Sequence, residues 1–146
     1  MIKLSYFIIS ALLFVSSCNV NSNEKSMEKW KQEIRETELN FAKMAKEEGI
    51  HNAFTTYAAE DAVLMRNNKL IKGIKNIDIL YKSQTSKGLD WAPDFIEVSS
   101  SGDLGYTYGQ YTYSYIDSTG IATVDTGIFH TVWKRQPDRS WRFVWD

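Results

Sequence analysis

The sequence predicts an α+β domain, with helices packed on one face of an antiparallel sheet. Two observations carry that expectation. Apolar residues in the first half recur at helical steps, and from Leu89 onward the pattern changes to alternation with period two, broken by short turn-rich connections. At 146 residues the chain is one domain's worth and long enough to bury a core. Charge is balanced, 17 basic residues against 18 acidic, so the chain lacks the basic footprint of a nucleic-acid binder. Aromatic residues make up 14% of it, which suits strands and ligand pockets as well as an ordinary β-rich core. A single cysteine excludes an internal disulfide, a thiolate zinc cluster and a CxxC redox pair.

That cysteine sits at the end of a leader-like stretch. Met1-Ile2-Lys3 is a short positive start, Leu4 to Val15 is an apolar run, and Val15-Ser16-Ser17-Cys18 closes it. The run is too short to span a bilayer and reads as an export signal, residues 1–17. Val-Ser-Ser-Cys resembles the bacterial lipobox, which implies lipidation of Cys18 and a membrane anchor facing the periplasm or the cell surface. An ordinary signal peptide with a chance cysteine is the alternative. Asn19 to Ser26 is polar and without periodicity; residues 18–26 read as a tether, and 27–146 as the folded domain.

Ser26 is a plausible N-cap for a helix running to Glu48, with Gly49 as its stop. Trp30, Ile34, Phe41, Met44 and Ala45 form its apolar face. Glu38 lies on that same face and either lines a cavity or snorkels at the edge of the stripe. His51–Ala59 is helical, with Phe54, Tyr57 and Ala58 in phase. Ala62–Met65 reads as a strand, Asn67-Asn68 as a tight turn before Lys69–Ile71, and Gly73 opens a third helix carrying Ile74, Ile77 and Tyr81.

Four strands follow: Leu89–Ser99, Leu104–Ile116, Ala122–Lys134 and Trp141–Asp146, joined as a meander. Pro93 marks the first as an edge strand. The second carries Tyr106, Tyr108, Tyr111, Tyr113 and Tyr115, in which the first two are even-numbered and the last three odd. Either Gly109 forms a bulge that brings all five to one face, or the tyrosines line both faces.

The block Phe54-x-x-Tyr57-Ala58-x-x-Asp61-Ala62-Val63, between a long first helix and a Gly-led third helix, resembles the NTF2-like fold. Ser101-Gly102-Asp103-Leu104-Gly105-Tyr106-Thr107-x-Gly109 and Val132-Trp133-Lys134-x-Gln136-Pro137-Asp138-x-Ser140-Trp141 resemble the SnoaL-like family called DUF4440. The resemblance covers about residues 30 to 146. It implies an NTF2-like (cystatin-like) roll, a curved sheet wrapped round the long helix with a cavity at the open end. It also implies a possible homodimer through the outer face of the sheet.

If Ser118-Thr119 and Asp138-Arg139 are two-residue hairpin tips, Tyr113 faces Val124, Tyr111 faces Thr126, and Val132 faces Trp145. With the bulge, Tyr108 faces Ile128 and Tyr106 faces His130. Taking Ser101-Gly102 as a third tip pairs Phe95 with Tyr108 and Glu97 with Tyr106. The tyrosines, Ile128, His130, Val132, Trp141, Phe143 and Trp145 then form the more apolar, inward face. Glu97, Tyr106 and His130 make a polar row that could bind a ligand or move protons, or else Glu97 points to solvent and His130 is a core histidine bonded to Tyr106. The pocket candidates are Glu38, Tyr57, Trp91, Glu97, Tyr106, Tyr108, Tyr111, His130 and Trp145; His130, Tyr106 and Glu97 are the catalytic candidates.

Ketosteroid isomerases of this fold need a carboxylate where alignment puts Arg66, so that chemistry is not expected, and Arg66 is either an attractor for an anionic ligand or a plain surface arginine. No metal cluster, Ser-His-Asp spacing or phosphate loop is present in the sequence, and no cofactor is expected. Three functions remain open: a lipid-anchored domain binding a small, largely apolar or aromatic molecule; an isomerase-, dehydratase- or cyclase-type enzyme using His130 with Tyr106 or Glu97; and an interaction module pairing through its outer sheet face.

Overall fold

Helical and alternating periodicity divide the chain as expected, and the two halves close on each other. The computed structural model describes residues 17–146, with side chains from residue 23 onward. The apolar run Leu4–Val15 and the side chain of Cys18 lie outside the described residues, and the export-signal and lipidation readings with them. Helix α1 (Ser17–Glu48) runs through the Asn19–Ser26 stretch read as a tether, so Ser26 is not its N-cap. Between Ser17 and Glu48 there is no glycine or proline, and polar residues extend an established helix at little cost. Gly49 stops it at φ 96°, a backbone region few other residues adopt. No described helix is long and apolar enough to cross a membrane.

Helix α2 (Ile50–Tyr57) leads into β1 (Ala58–Arg66), which turns through Asn67 and Asn68 into β2 (Lys69–Lys72). Both asparagines have positive φ, 51° and 59°, as a tight hairpin turn requires. Helix α3 (Ile74–Tyr81) starts after Gly73. The expected first long strand is two, β3 (Leu89–Trp91) and β4 (Phe95–Val98), because Pro93 between them has no N–H for the ladder. Strands β5 (Leu104–Ile116), β6 (Ala122–Arg135) and β7 (Trp141–Trp145) complete a seven-stranded sheet of order β2-β1-β7-β6-β5-β3, with β4 also paired to β5. Strand β1 lies parallel to β7 and joins the helical half to the meander.

The register differs from the expected one because the β5–β6 hairpin turn holds three residues, not two. Strands β5 and β6 pair regularly from Leu104↔Lys134 to Ile116↔Ala122 with no bulge at Gly109. Tyr113 faces Asp125, Tyr111 faces Gly127, Tyr108 faces His130 and Tyr106 faces Val132. The tip is a three-residue turn: Asp117 and Ile121 close it, and Gly120 sits at φ 84°. Asp117 Oδ1 accepts bonds from the N–H groups of Thr119 (2.8 Å) and Ile121 (3.0 Å) and from the Thr119 hydroxyl, which makes the longer turn the stable one. The pairings Phe95↔Tyr108, Glu97↔Tyr106 and Val132↔Trp145 are as expected. The last is restored by a bulge, since the β6–β7 turn, with Arg139 at φ 68°, also holds three residues.

The tyrosines therefore split between faces. Gly105, Thr107 and Gly109 point inward, while Tyr106 and Tyr108 point outward and remain exposed. The cause is crowding on the inner side, by helix α1 at Gly105 and Thr107 and by the β3–β4 link and Phe129 at Gly109. A Cβ on Gly105 would sit 2.4 Å from Ile34 Cδ1, and one on Gly109 would sit 2.6 Å from the Ala92 carbonyl oxygen. Only small residues fit at these inner positions. The same slip reverses β6: Phe129, Thr131 and Trp133 face inward, whereas Ile128, His130 and Val132 face outward.

Phe41 is the centre of the core, with Phe54 and Trp91 each 4.8 Å away between ring centroids and Phe143 at 5.7 Å. Trp141, Phe143, Trp133, Leu64 and Ile77 pack around it.

Candidate functional site

Beside the last turns of α1, where Lys46 reaches Asp90, tyrosines take over from the small residues on the inner side of β5. Tyr111 and Tyr113 of β5 turn inward there, opposite Leu89 and Trp91 of β3. Tyr111 lies over Gly127, where any Cβ would come within 2.6 Å of its ring. With Phe129 of β6, Ile50 and Phe54 of α2 and Tyr81 of α3, they line a cavity of about 740 Å³. Ile128 and His130 reach only its rim, because both stand on the outward side of β6. Trp145, paired with Val132 and Val63, also lines that rim.

The polar side of the cavity is built from the ends of two strands. Arg66, the last residue of β1, donates Nε to the Tyr81 hydroxyl (2.9 Å) and pairs through Nη2 with Asp146 Oδ1. The other Asp146 oxygen accepts the Thr131 hydroxyl at 3.1 Å. Burial works against the Arg66 charge, but Asp146 and Tyr81 outweigh it and hold its pKa above the ordinary value. Burial raises the Tyr81 phenol, with Arg66 pulling the other way. Arg66 therefore lies at the cavity, as one of the two alternatives required, but its charge is already compensated.

Glu38 lies beneath this cavity rather than in it. The residue is 0% exposed, and its carboxyl meets three neutral donors: Trp91 Nε1 at 2.7 Å, Trp133 Nε1 at 2.8 Å and the Thr107 hydroxyl at 2.5 Å. Burial pushes its pKa up to about 7, against the three hydrogen bonds. It neither snorkels nor lines the cavity; it fixes Trp91, whose ring does. Tyr57 is half-buried against Phe41, 5.1 Å between centroids, and lies outside the cavity lining.

The polar row stands on the outer face, contrary to the inward assignment. Glu97 is paired with Lys31 at 2.9 Å, which lowers its pKa. Tyr106 and His130 have ring centroids 5.9 Å apart, and Tyr108 stacks on Phe95 at 4.9 Å. Of the nine pocket candidates, Trp91, Tyr111, His130 and Trp145 line the cavity or its rim. Glu97, Tyr106 and Tyr108 are directed away from it because Gly105, Thr107 and Gly109 occupy the inner positions. Sequence reasoning missed Asp146, Thr131, Tyr81, Phe129 and Asp125. The first two depend on a β-bulge and the last two on a three-residue turn, neither of which shows as periodicity.

No protein-family model matches the sequence, and no curated protein does. Solved structures do. An NTF2-like superfamily protein from Salmonella enterica serovar Typhimurium superposes with a TM-score of 0.65 at 18% identity, over 81% of this chain and 88% of that one. An NTF2-like protein with a cystatin-like fold from Novosphingobium aromaticivorans gives 0.60 at 18% identity, covering 90% and 84%. A ketosteroid isomerase-like protein from Erwinia carotovora gives 0.50 at 17% identity, covering 65% and 76%. The fold is the NTF2-like, cystatin-like roll that the sequence motifs resemble.

Proposed function

We propose that this chain is a lipid-anchored extracytoplasmic domain of the SnoaL-like kind that holds a small, largely apolar or aromatic molecule in its roll. One observation carries the binding reading: a cavity of about 740 Å³ walled by Phe54, Trp91, Tyr111, Tyr113 and Phe129. That volume suits a small-molecule ligand, and aromatic walls with a few placed polar groups are the usual composition of such sites. The reading is tested by soaking crystals of the protein in an aromatic fragment library. Ordered density is expected against Trp91 and Tyr111, and a cavity left empty by every fragment would rule it out. The isomerase-type alternative is less favoured, since Glu97 is held by Lys31, Tyr106 stands on the outer surface, and of the three candidates His130 alone reaches the cavity rim.

A second reading rests on that outer surface. Ile128 (73% exposed), Val124, Tyr106 and Tyr108 leave an apolar sheet face open, which supports pairing with a second copy. Its test is the oligomeric state of an outer-face variant.

A further inference from the structure

The cavity offers more than apolar contact, and its charge balance suggests what occupies it. Among the described residues lining it, Arg66 is the only guanidinium or ammonium, and Asp146 neutralises it. Asp125 also lines the cavity, next to Tyr113 in the ladder. The Tyr115 hydroxyl hydrogen-bonds to it, but Asp125 enters no ion pair among the described residues. Lys46, the cation at the end of α1, is committed to Asp90 at 2.5 Å. Among the described lining residues, Asp125 is thus the carboxylate outside any ion pair; the other titratable group there besides the tyrosines and the Arg66–Asp146 pair, His130, stands on the outward side of β6.

Around that charge the walls are π faces. Trp91 and Tyr111 are cross-strand partners, Tyr113 is the partner of Asp125, and Trp91 and Phe129 have centroids 6.3 Å apart at 61°. Trp91 and Phe129 thus meet as a corner, while Tyr113 is stacked on Tyr115 at 5.2 Å and 22°. Aromatic faces attract a cation through the ring quadrupole, most strongly for tryptophan and most usefully where water is excluded. Trp91 is further suited to this, because its N–H donates to the Glu38 carboxyl and so pushes electron density into the ring.

We propose that the corner formed by Trp91, Tyr111, Tyr113 and Phe129, with Asp125 as counter-charge, receives the cationic head of a quaternary-ammonium or alkylamine ligand. The inference rests on the pocket reading above and narrows it to a charge class. The apolar remainder of such a ligand would lie against Ile50, Phe54 and Leu89. An anionic ligand is the competing class. It would have to displace Asp146 from Arg66, and it would face Asp125 at the mouth.

The test is a calorimetric titration of the full-length chain with three molecules of one shape. They are choline, the neutral alcohol in which tert-butyl replaces trimethylammonium, and the corresponding carboxylate. Choline is expected to bind about tenfold tighter than the neutral alcohol, the size of a partly desolvated cation–π contact. Asp125→Asn should weaken choline severalfold more than it weakens the alcohol, and so reduce that preference. Phe129→Leu should weaken choline more than the alcohol. Equal or tighter binding of the alcohol or the carboxylate overturns the proposal, as does indifference to Asp125→Asn, or failure of all three to bind. If these fail while aromatic fragments fill the cavity in soaked crystals, only the charge class is wrong; an empty cavity sinks the pocket reading itself.

Discussion

Glu38 is the residue on which sequence and structure bear most differently. A carboxylate on the apolar stripe of a helix is ambiguous until its partners are known, and these come from three strands: Trp91, Thr107 and Trp133. The signal that could have found them was the need of a buried indole N–H for an acceptor, since tryptophan donates and cannot accept. Both indoles must donate whatever the state of Glu38. The Thr107 hydroxyl can reverse, donating to the carboxylate or accepting from the acid, so either protonation state can be satisfied. With a folded pKa of about 7 against an ordinary value of 4.5, the folded state holds the proton more tightly than the unfolded chain. Stability is thus fullest below pH 4.5 as far as this group is concerned, and declines as pH rises toward 7, by about 3 kcal/mol in all. Asp146 adds to the upward shift, so the decline belongs partly to that neighbour. Glu38→Gln should abolish this slope in a chemical-denaturation series. It should also lower stability on the acid side by about 1–3 kcal/mol, because an amide NH₂ cannot accept from an indole. A slope unchanged in the variant would show that Glu38 is not the titrating group.

At the scale of elements, what was legible was whatever is encoded locally. The helical faces, the Asn67-Asn68 turn, the stop at Gly49, the start at Gly73 and the span of β5 follow from periodicity and turn chemistry over a few residues. Register and facing were not legible, because each depends on one residue more or less in a turn. Asp117-Ser118-Thr119-Gly120 reads equally as a two- or three-residue tip until Gly120 is seen at positive φ. The parity change among the tyrosines reads as the second of its two alternatives, tyrosines on both faces of a regular strand. Glycine and threonine face inward before Gln110, where α1 and the β3–β4 link crowd the strand, and tyrosine after it. One consequence is an outer face richer in apolar side chains than a solvated sheet needs. Ile128→Lys places a charge at its most exposed apolar position without touching the core. If the sheet pairs with a second copy, light scattering should show a dimer that becomes monomeric in Ile128→Lys, with melting temperature otherwise little changed. A wild-type monomer at high concentration would end the pairing reading.

At the scale of the whole molecule, the middle and the last turn of α1 are given different work. Midway along it Trp30 packs on Gly102, and Glu33 takes Arg135 and the Trp141 indole. Its last turn reaches Asp90 through Lys46, and the next residues, Ile50 and Phe54, line the cavity. The cavity therefore lies at the end of α1 remote from Cys18, and a helix of 32 residues measures about 48 Å at 1.5 Å per residue. An acyl anchor on Cys18 would hold the cavity away from the bilayer, toward the surrounding medium, which suits capture of a free small molecule rather than a lipid. The anchor itself rests on Val15-Ser16-Ser17-Cys18 after a short apolar run. Expressed in a bacterium fed a clickable palmitate, the wild-type chain should take up label and sediment with membranes. Cys18→Ala should take up none and partition away from the detergent phase in which the wild type is recovered. An unlabelled wild-type chain, released to the soluble fraction like the variant, would show that residues 1–17 serve only as an ordinary export signal and that the cavity is free to diffuse.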